Sequence, residues 1–181
     1  MASRRTLAIM GLLIAASNLW AQNPKPTEYQ VKAAYLYNFG RFVEWPANAA
    51  GKGELFNVCV FGKDPFGPVL DHALAGETIG GKSVVARRIS LPQESGNCQI
   101  LFLSSAEEGL LNKIIEAANK EAVLTVSDMP QFSERGGMVQ FVVENNRIRF
   151  EVNLTAAQNA GLTLRSELLR VATVVKKDPG N

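Results

Sequence analysis

The apolar positions change period along the chain, and the change divides it into elements. From Thr27 to about Val43 the period is helical. Val31, Ala34, Tyr35 and Phe42 share one stripe, and Tyr37 and Phe39 widen it. Thr27-x-x-Gln30 matches a capping box, in which the threonine hydroxyl meets the N3 amide and the glutamine reaches back. Trp45-Pro46 should end this helix, because the residue before a proline avoids helical backbone. Residues 47–54 are small and polar, a loop. Residues 56–61 form a continuous apolar, β-prone run and are predicted as a buried strand holding Cys59. A short helix is expected over 69–74, a turn over 76–82, and strands over 83–89, 99–103 and 122–126. Between the last two, Ser105-x-x-Glu108 is expected to cap a helix with Leu110, Leu111, Ile114, Ile115 and Ala118 on one face.

Strands that alternate with helices predict parallel pairing in an α/β layer. The pattern then changes. Residues 138–143 and 147–152 alternate as strands, joined by Glu144-Asn145-Asn146, a hairpin turn whose asparagines tolerate left-handed backbone. Thr155-x-x-Gln158 is expected to cap a short helix ending at Gly161. A last amphipathic helix is expected over 166–176, with Leu168, Leu169, Ala172 and Val175 as its stripe. The fold class predicted is α/β: a three-layer α/β/α sandwich around a mixed sheet of about six strands, with helices on both faces.

The N-terminus adds a compartment. Arg4-Arg5 precede an apolar run from Leu7 to Ala16, too short to cross a bilayer, and a small residue, Ala21, follows. Residues 1–21 therefore read as a secretory signal peptide, leaving 22–181 as a single domain exported from the cytoplasm. No cysteine lies near the cleavage region, so no lipid anchor is expected. Arg4 and Arg5 leave with the signal, which reduces the 19 basic side chains to 17, against 17 acidic ones. That balance argues against a nucleic-acid partner, which needs a basic face. Two cysteines remain, Cys59 and Cys98. In an oxidising compartment they are expected to pair, the alternative being two buried free thiols.

Catalytic chemistry is sparse. The one histidine, His72, stands beside Asp71, and one histidine with two cysteines does not make a usual zinc site. There is no G-x-S-x-G, H-E-x-x-H, P-loop or G-x-G-x-x-G pattern. The expectation is no catalytic residue, no metal and no cofactor. Two clusters stand out instead. Arg41 and Glu44 flank the end of the first helix beside Trp45. Arg147, Arg149 and Glu151 alternate with Ile148, Phe150 and Val152, so one strand face is charged and the other apolar. Such a face is either an ordinary solvated edge or a recognition surface, since arginine and aromatic residues are enriched at binding sites. Arg41, Trp45, Arg147, Arg149 and Glu151 are the candidate binding residues.

Residues 28–46, EYQVKAAYLYNFGRFVEWP, resemble the N-terminal signature of the YfiR family. The likeness continues with VCVFG at 58–62, CQILF at 98–102, VLTVSD at 123–128, GG at 136–137, NNRIRFEVN at 145–153, AGL at 160–162 and SELL at 166–169. The resemblance implies a small periplasmic protein of three-layer α/β/α fold. It further implies a non-enzymatic repressor that binds the periplasmic domain of an inner-membrane diguanylate cyclase and lowers cyclic di-GMP and biofilm formation. An outer-membrane lipoprotein, or redox stress that disturbs the disulfide, would relieve that repression. Some relatives carry a second cysteine pair, which this chain lacks. A homodimer is a further partner expectation. The alternative function is a periplasmic small-ligand sensor, for which a pocket lined by Trp45 and arginines would be the mark.

Overall fold

The first helix begins where its capping box places it. In this computed structural model, which describes residues 25–47 and 53–176, α1 spans Glu28–Phe42. The Thr27 amide donates to Gln30 Oε1 at 2.7 Å, and the Gln30 amide donates to Thr27 Oγ1 at 3.3 Å. The predicted signal segment 1–21 and most of the 47–54 loop lie outside the described residues. The helix ends as Val43 turns extended, and β1 (Val43–Glu44) pairs antiparallel with β9 (Thr163–Leu164).

The buried face of α1 is rotated from the predicted stripe. Lys32, Ala33, Leu36, Phe39 and Gly40 are buried. Ala34 is exposed, and Val31, Tyr35 and Phe42 are only half-buried. The cause is Lys32, which the polar pattern assigns to water. Its Nζ donates to Asp128 Oδ2 at 2.6 Å and pairs with Glu28 Oε1 at 2.5 Å, beneath the Tyr29 ring at 4.7 Å. A lysine so paired can face a sheet.

The main sheet is built from β2 (Leu55–Phe61), β3 (Thr78–Ile79), β4 (Lys82–Ile89), β5 (Ile100–Leu103), β6 (Leu124–Ser127), β7 (Val139–Glu144), β8 (Arg147–Asn153) and β10 (Val174–Lys176). Their order is β10-β8-β7-β6-β5-β2-β4-β3. Strands β4, β2, β5, β6 and β7 run parallel; β3 and β8 are antiparallel to their inner neighbours, and β10 is parallel to β8. The sheet is mixed, as predicted, with eight strands among the described residues instead of about six. The extra two are the short edge strands β3 and β10. The second corrects the last helix: α5 is only Ser166–Val171. The Thr173-Val174-Val175 run is β-branched, and it packs better as a strand beside β8 than on a helix.

Alternate strand positions face two cores. On one face Val58, Val60, Ile100, Phe102, Leu124, Val126, Phe141 and Phe150 pack with α1, α2 (Pro68–Leu74), α4 (Leu154–Asn159) and α5. Phe39 lies between Phe141 and Phe150, with ring centroids 5.8 and 5.0 Å away. On the other face Cys59, Phe61, Leu101 and Leu103 meet Leu111, Ile114, Ile115 and Ala118 of α3 (Leu111–Lys120). That is a three-layer arrangement. Cys59 and Cys98 are bonded within this second core, with Cα atoms 5.9 Å apart. Both are buried.

Two predicted caps are corrected. Ser105 opens a 3-10 turn, Ser105–Leu110, whose N-cap is Ser104 and makes no side-chain cap. Asn153, not Thr155, caps α4: its Oδ1 accepts from the Ala156 amide at 2.9 Å while its Nδ2 donates to the Ser133 carbonyl at 2.8 Å. The hairpin turn is as predicted, with Asn145 and Asn146 both at positive φ.

Candidate functional site

A cleft of about 280 Å³ opens where the end of α1 crosses the start of the parallel strands. Gly40, Arg41 and Val43 come from the helix end and β1, Phe56 from the start of β2, Ile79 and Gly80 from the β3–β4 turn. Gln99 precedes β5 and Arg165 follows β9. Trp45 stands edge-on to Phe56, with centroids 5.3 Å apart at 87°. Gly40 lets the helix pass here, because a Cβ at that position would overlap Ile79 Cδ1 and press on the Phe56 ring.

The polar chemistry of the cleft is dominated by donors. Arg165 Nε donates to Glu44 Oε1 at 2.8 Å, and Lys82 Nζ donates to the Gly53 carbonyl at 2.8 Å. The Arg41 guanidinium lies 5.9 Å from the Tyr37 ring centroid. Two further donors are buried without a partner among the described residues, Trp45 Nε1 and Gln99 Nε2. Gln99 spends its Oε1 on the Asn57 amide at 2.6 Å, which fixes the amide group. Buried N–H groups are rarely left unpaired, since each costs about 1–3 kcal/mol.

The opposite edge of the sheet is where open α/β sheets usually bind ligands, at the strand carboxyl ends where the winding reverses. Here that reversal lies between β2 and β5. Gly62, at φ +81°, follows β2, and the Glu107 side chain fills the space over it. The open cleft is therefore at the amino ends of the strands.

The structure separates the five candidate binding residues into two places. Arg41 and Trp45 line the cleft. Arg147, Arg149 and Glu151 lie on β8, four strands from β2 and thus about 19 Å away at the usual strand spacing. As predicted, Phe150 and Val152 are buried and the charges face outward. Arg147 and Arg149 are exposed. Glu151 is not free: its Oε2 accepts from Ser133 Oγ at 3.0 Å and lies 3.7 Å from Lys176 Nζ. The sequence reading missed Gln99 and Arg165, which the fold brings to the cleft from the quoted 98–102 segment and from beside the 166–169 segment. It also missed the pairing of Lys32 with Asp128, although each sits in a quoted segment.

Asp71 is paired with Arg88. Both terminal Arg88 nitrogens hold it, Nη1 to Oδ1 at 2.8 Å and Nη2 to Oδ2 at 2.7 Å, and Arg88 Nε also reaches Asp64 at 2.8 Å. The Arg88 hydrogen bonds hold the Asp71 carboxyl below the usual carboxylate range. Among the described residues no group of His, Cys, Asp and Glu is placed to hold a metal ion.

Two solved structures share the fold. One is a conserved domain protein from Vibrio cholerae O1 biovar eltor, 14% identical, with a TM-score of 0.50 over 66% of this chain and 54% of that one. The other is the ABC domain in complex with L-Trp from Streptococcus pneumonia, 9% identical, with a TM-score of 0.53 over 80% of this chain and 60% of that one. This chain thus spans little more than half the length of each, and the likeness is one of fold. The model of the YfiR/HmsC-like family matches residues 29–173, from the first turn of α1 almost to the last strand. The chain belongs to the YfiR/HmsC-like family.

Proposed function

We propose that this chain is a periplasmic regulatory protein that represses an inner-membrane diguanylate cyclase by binding the cyclase's periplasmic sensor part. Cyclic di-GMP and biofilm formation would fall as a result. The observation that carries the reading is the family match over residues 29–173. A buried Cys59–Cys98 bond suits an oxidising compartment. Repression by contact asks for a stable surface and no reacting group. An outer-membrane lipoprotein that competes for the same surface would relieve the repression. The test is deletion of the gene with measurement of cyclic di-GMP, together with binding of the purified mature chain to the immobilised sensor part. Raised cyclic di-GMP and saturable binding are expected. Unchanged cyclic di-GMP with no binding would refute the reading.

A second reading, a small-ligand sensor, is favoured by one specific observation: the unpaired Trp45 Nε1 and Gln99 Nε2 in a cleft that also holds Arg41 and Arg165. The ligand would pair an acceptor group, such as a carboxylate, with a flat apolar part that lies against Trp45 and Phe56. Titration calorimetry with small aromatic carboxylates tests it. Heat of binding that disappears in Gln99→Leu and Trp45→Phe is expected, and no heat with any of them would refute it.

A further inference from the structure

The geometry points to the open sheet edge at the tip of the β7–β8 hairpin as the seat of an extended, acidic segment of a protein partner, which joins the sheet as a further strand. That the segment belongs to the cyclase sensor part rests on the function proposed above. The surface itself rests only on this chain.

The edge is open because β10 is short. It covers β8 only from Glu151 to Asn153, with one more bond from the Thr173 amide to the Phe150 carbonyl at 2.9 Å. Residues 147–149 have β7 on one side and no strand on the other among the described residues. Their backbone direction follows from the turn. A two-residue hairpin closes on a hydrogen-bonded pair, here Glu144 with Arg147, and such pairs then alternate along the ladder. Ile148 and Phe150 therefore direct their N–H and C=O groups outward, and the Thr173 bond to Phe150 agrees. The Ile148 carbonyl meets only the Tyr35 hydroxyl, at 3.5 Å.

The side chains choose the occupant. Arg147 and Arg149 are exposed on one face and have no ion pair among the described residues. On the other face Ile148 is half-buried and stands opposite Val143, which is 64% exposed. Val175, which β10 sets beside Val152 on this same face, is exposed too. An arriving strand thus meets cations on one side and apolar carbons on the other, which fits alternating acidic and apolar residues. A second copy fits poorly. Antiparallel self-pairing centred on Ile148 sets Arg147 opposite Arg149 twice, and like charges directly opposite are destabilising. Centring it on Arg149 needs Glu151, whose edge is already covered by β10.

The experiment is amide hydrogen exchange on the mature chain, read at Ile148. The probes are a synthetic peptide alternating Glu and Val, the same peptide with Lys for Glu, and the purified sensor part of the cognate cyclase. The Glu peptide or the sensor part should slow Ile148 exchange at least tenfold, the Lys peptide should not, and the Arg147→Gln/Arg149→Gln variant, which sets no like charge opposite Glu144, should lose the protection with its melting temperature unchanged. Equal protection by both peptides, protection that survives in the double variant, or no protection with either acidic probe overturns the inference. So does protection that appears without a probe and rises with protein concentration, which would mean a second copy. If the Glu peptide protects while the sensor part does not bind at all, the edge stands and the proposed function fails.

Discussion

Replacing Lys32 with Met deletes a buried charge and keeps the stem that packs beside Tyr29 and Phe141. Lys32 is 2% exposed, against 19% for the side chain of Asp128 and 49% for that of Glu28. Removing one member of a buried ion pair typically costs about 3–5 kcal/mol, because the other is left uncompensated. Water reaches part of Asp128, so the low end applies, about 3 kcal/mol. In a domain of this size that lowers the melting temperature by about 6–12 °C. Urea unfolding at pH 7 of the wild type, Lys32→Met, Asp128→Asn and the double variant closes a cycle. A coupling energy of about 1–3 kcal/mol is expected. A coupling below about 0.5 kcal/mol would refute the claim that this pair fixes the buried face of α1. The pH dependence gives a second check. Burial pulls the Lys32 pKa down, but hydrogen bonds to Asp128 and Glu28 outweigh it and leave it above the ordinary value. A raised folded-state pKa means the stabilisation is complete below the unfolded value, about 10.4, and is lost as pH rises through the folded one. The wild-type advantage over Lys32→Met should therefore hold steady from about pH 7 to 9 and shrink above about pH 10.5. A constant gap to about pH 11.5 would contradict the assignment.

The Cys59–Cys98 bond closes a loop across a sequence separation of 39, so Cys59→Ala should cost about 2–4 kcal/mol in urea unfolding; two titratable thiols in the denatured, unreduced wild type would show that the bond is absent. Gly137→Ala should cost about 1–3 kcal/mol by overpacking, because a Cβ there would overlap the Phe132 ring; an unchanged melting temperature would show that the ring gives way freely. Arg88→Gln frees Asp71, whose folded-state pKa is depressed, so its contribution is present above the unfolded value of about 3.9 and lost as pH falls through the folded one. The difference in melting temperature between wild type and Arg88→Gln should thus be seen at pH 7 and vanish in strong acid, and a difference that persists there would point to packing instead.

Periodicity made most of the elements legible, because apolar burial on a helix or strand leaves a local trace. The α1 cap, the five parallel strands and the Asn145–Asn146 turn all depend on neighbours in sequence. What was illegible depends on partners far along the chain. Lys32 reads as solvent-facing until Asp128, 96 residues away, is placed beneath it. The run after Val171 reads as helix until β8 offers it an edge. Glu151 reads as a free charge until the 129–137 segment brings Ser133 to it. The candidate site shows the same limit. Arg41 and Trp45 were legible as a cluster because they are adjacent, while Gln99 and Arg165 reach the cleft only through strand order.

The segments that resemble the family divide by what the fold asks of them. Lys32 and Asp128 join one helix to the end of one strand. Phe39 fills the core between Phe141 and Phe150, Gly40 leaves room for Ile79, and Asn153 ends β8 by capping α4. Folding accounts for each of these. It does not account for Trp45 Nε1, since phenylalanine would fill similar space without burying an unpaired donor, and it accounts for only one end of Gln99, whose Oε1 accepts from the Asn57 amide while Nε2 is left unpaired among the described residues. Nor does it require Arg147 and Arg149, which form no ion pair among the described residues and flank an edge that Val143 leaves apolar. The residues that stability leaves unexplained form two groups at separate ends of the sheet. A regulator that must read a signal and also hold a partner needs two such places, and one cannot obstruct the other if the sheet lies between them.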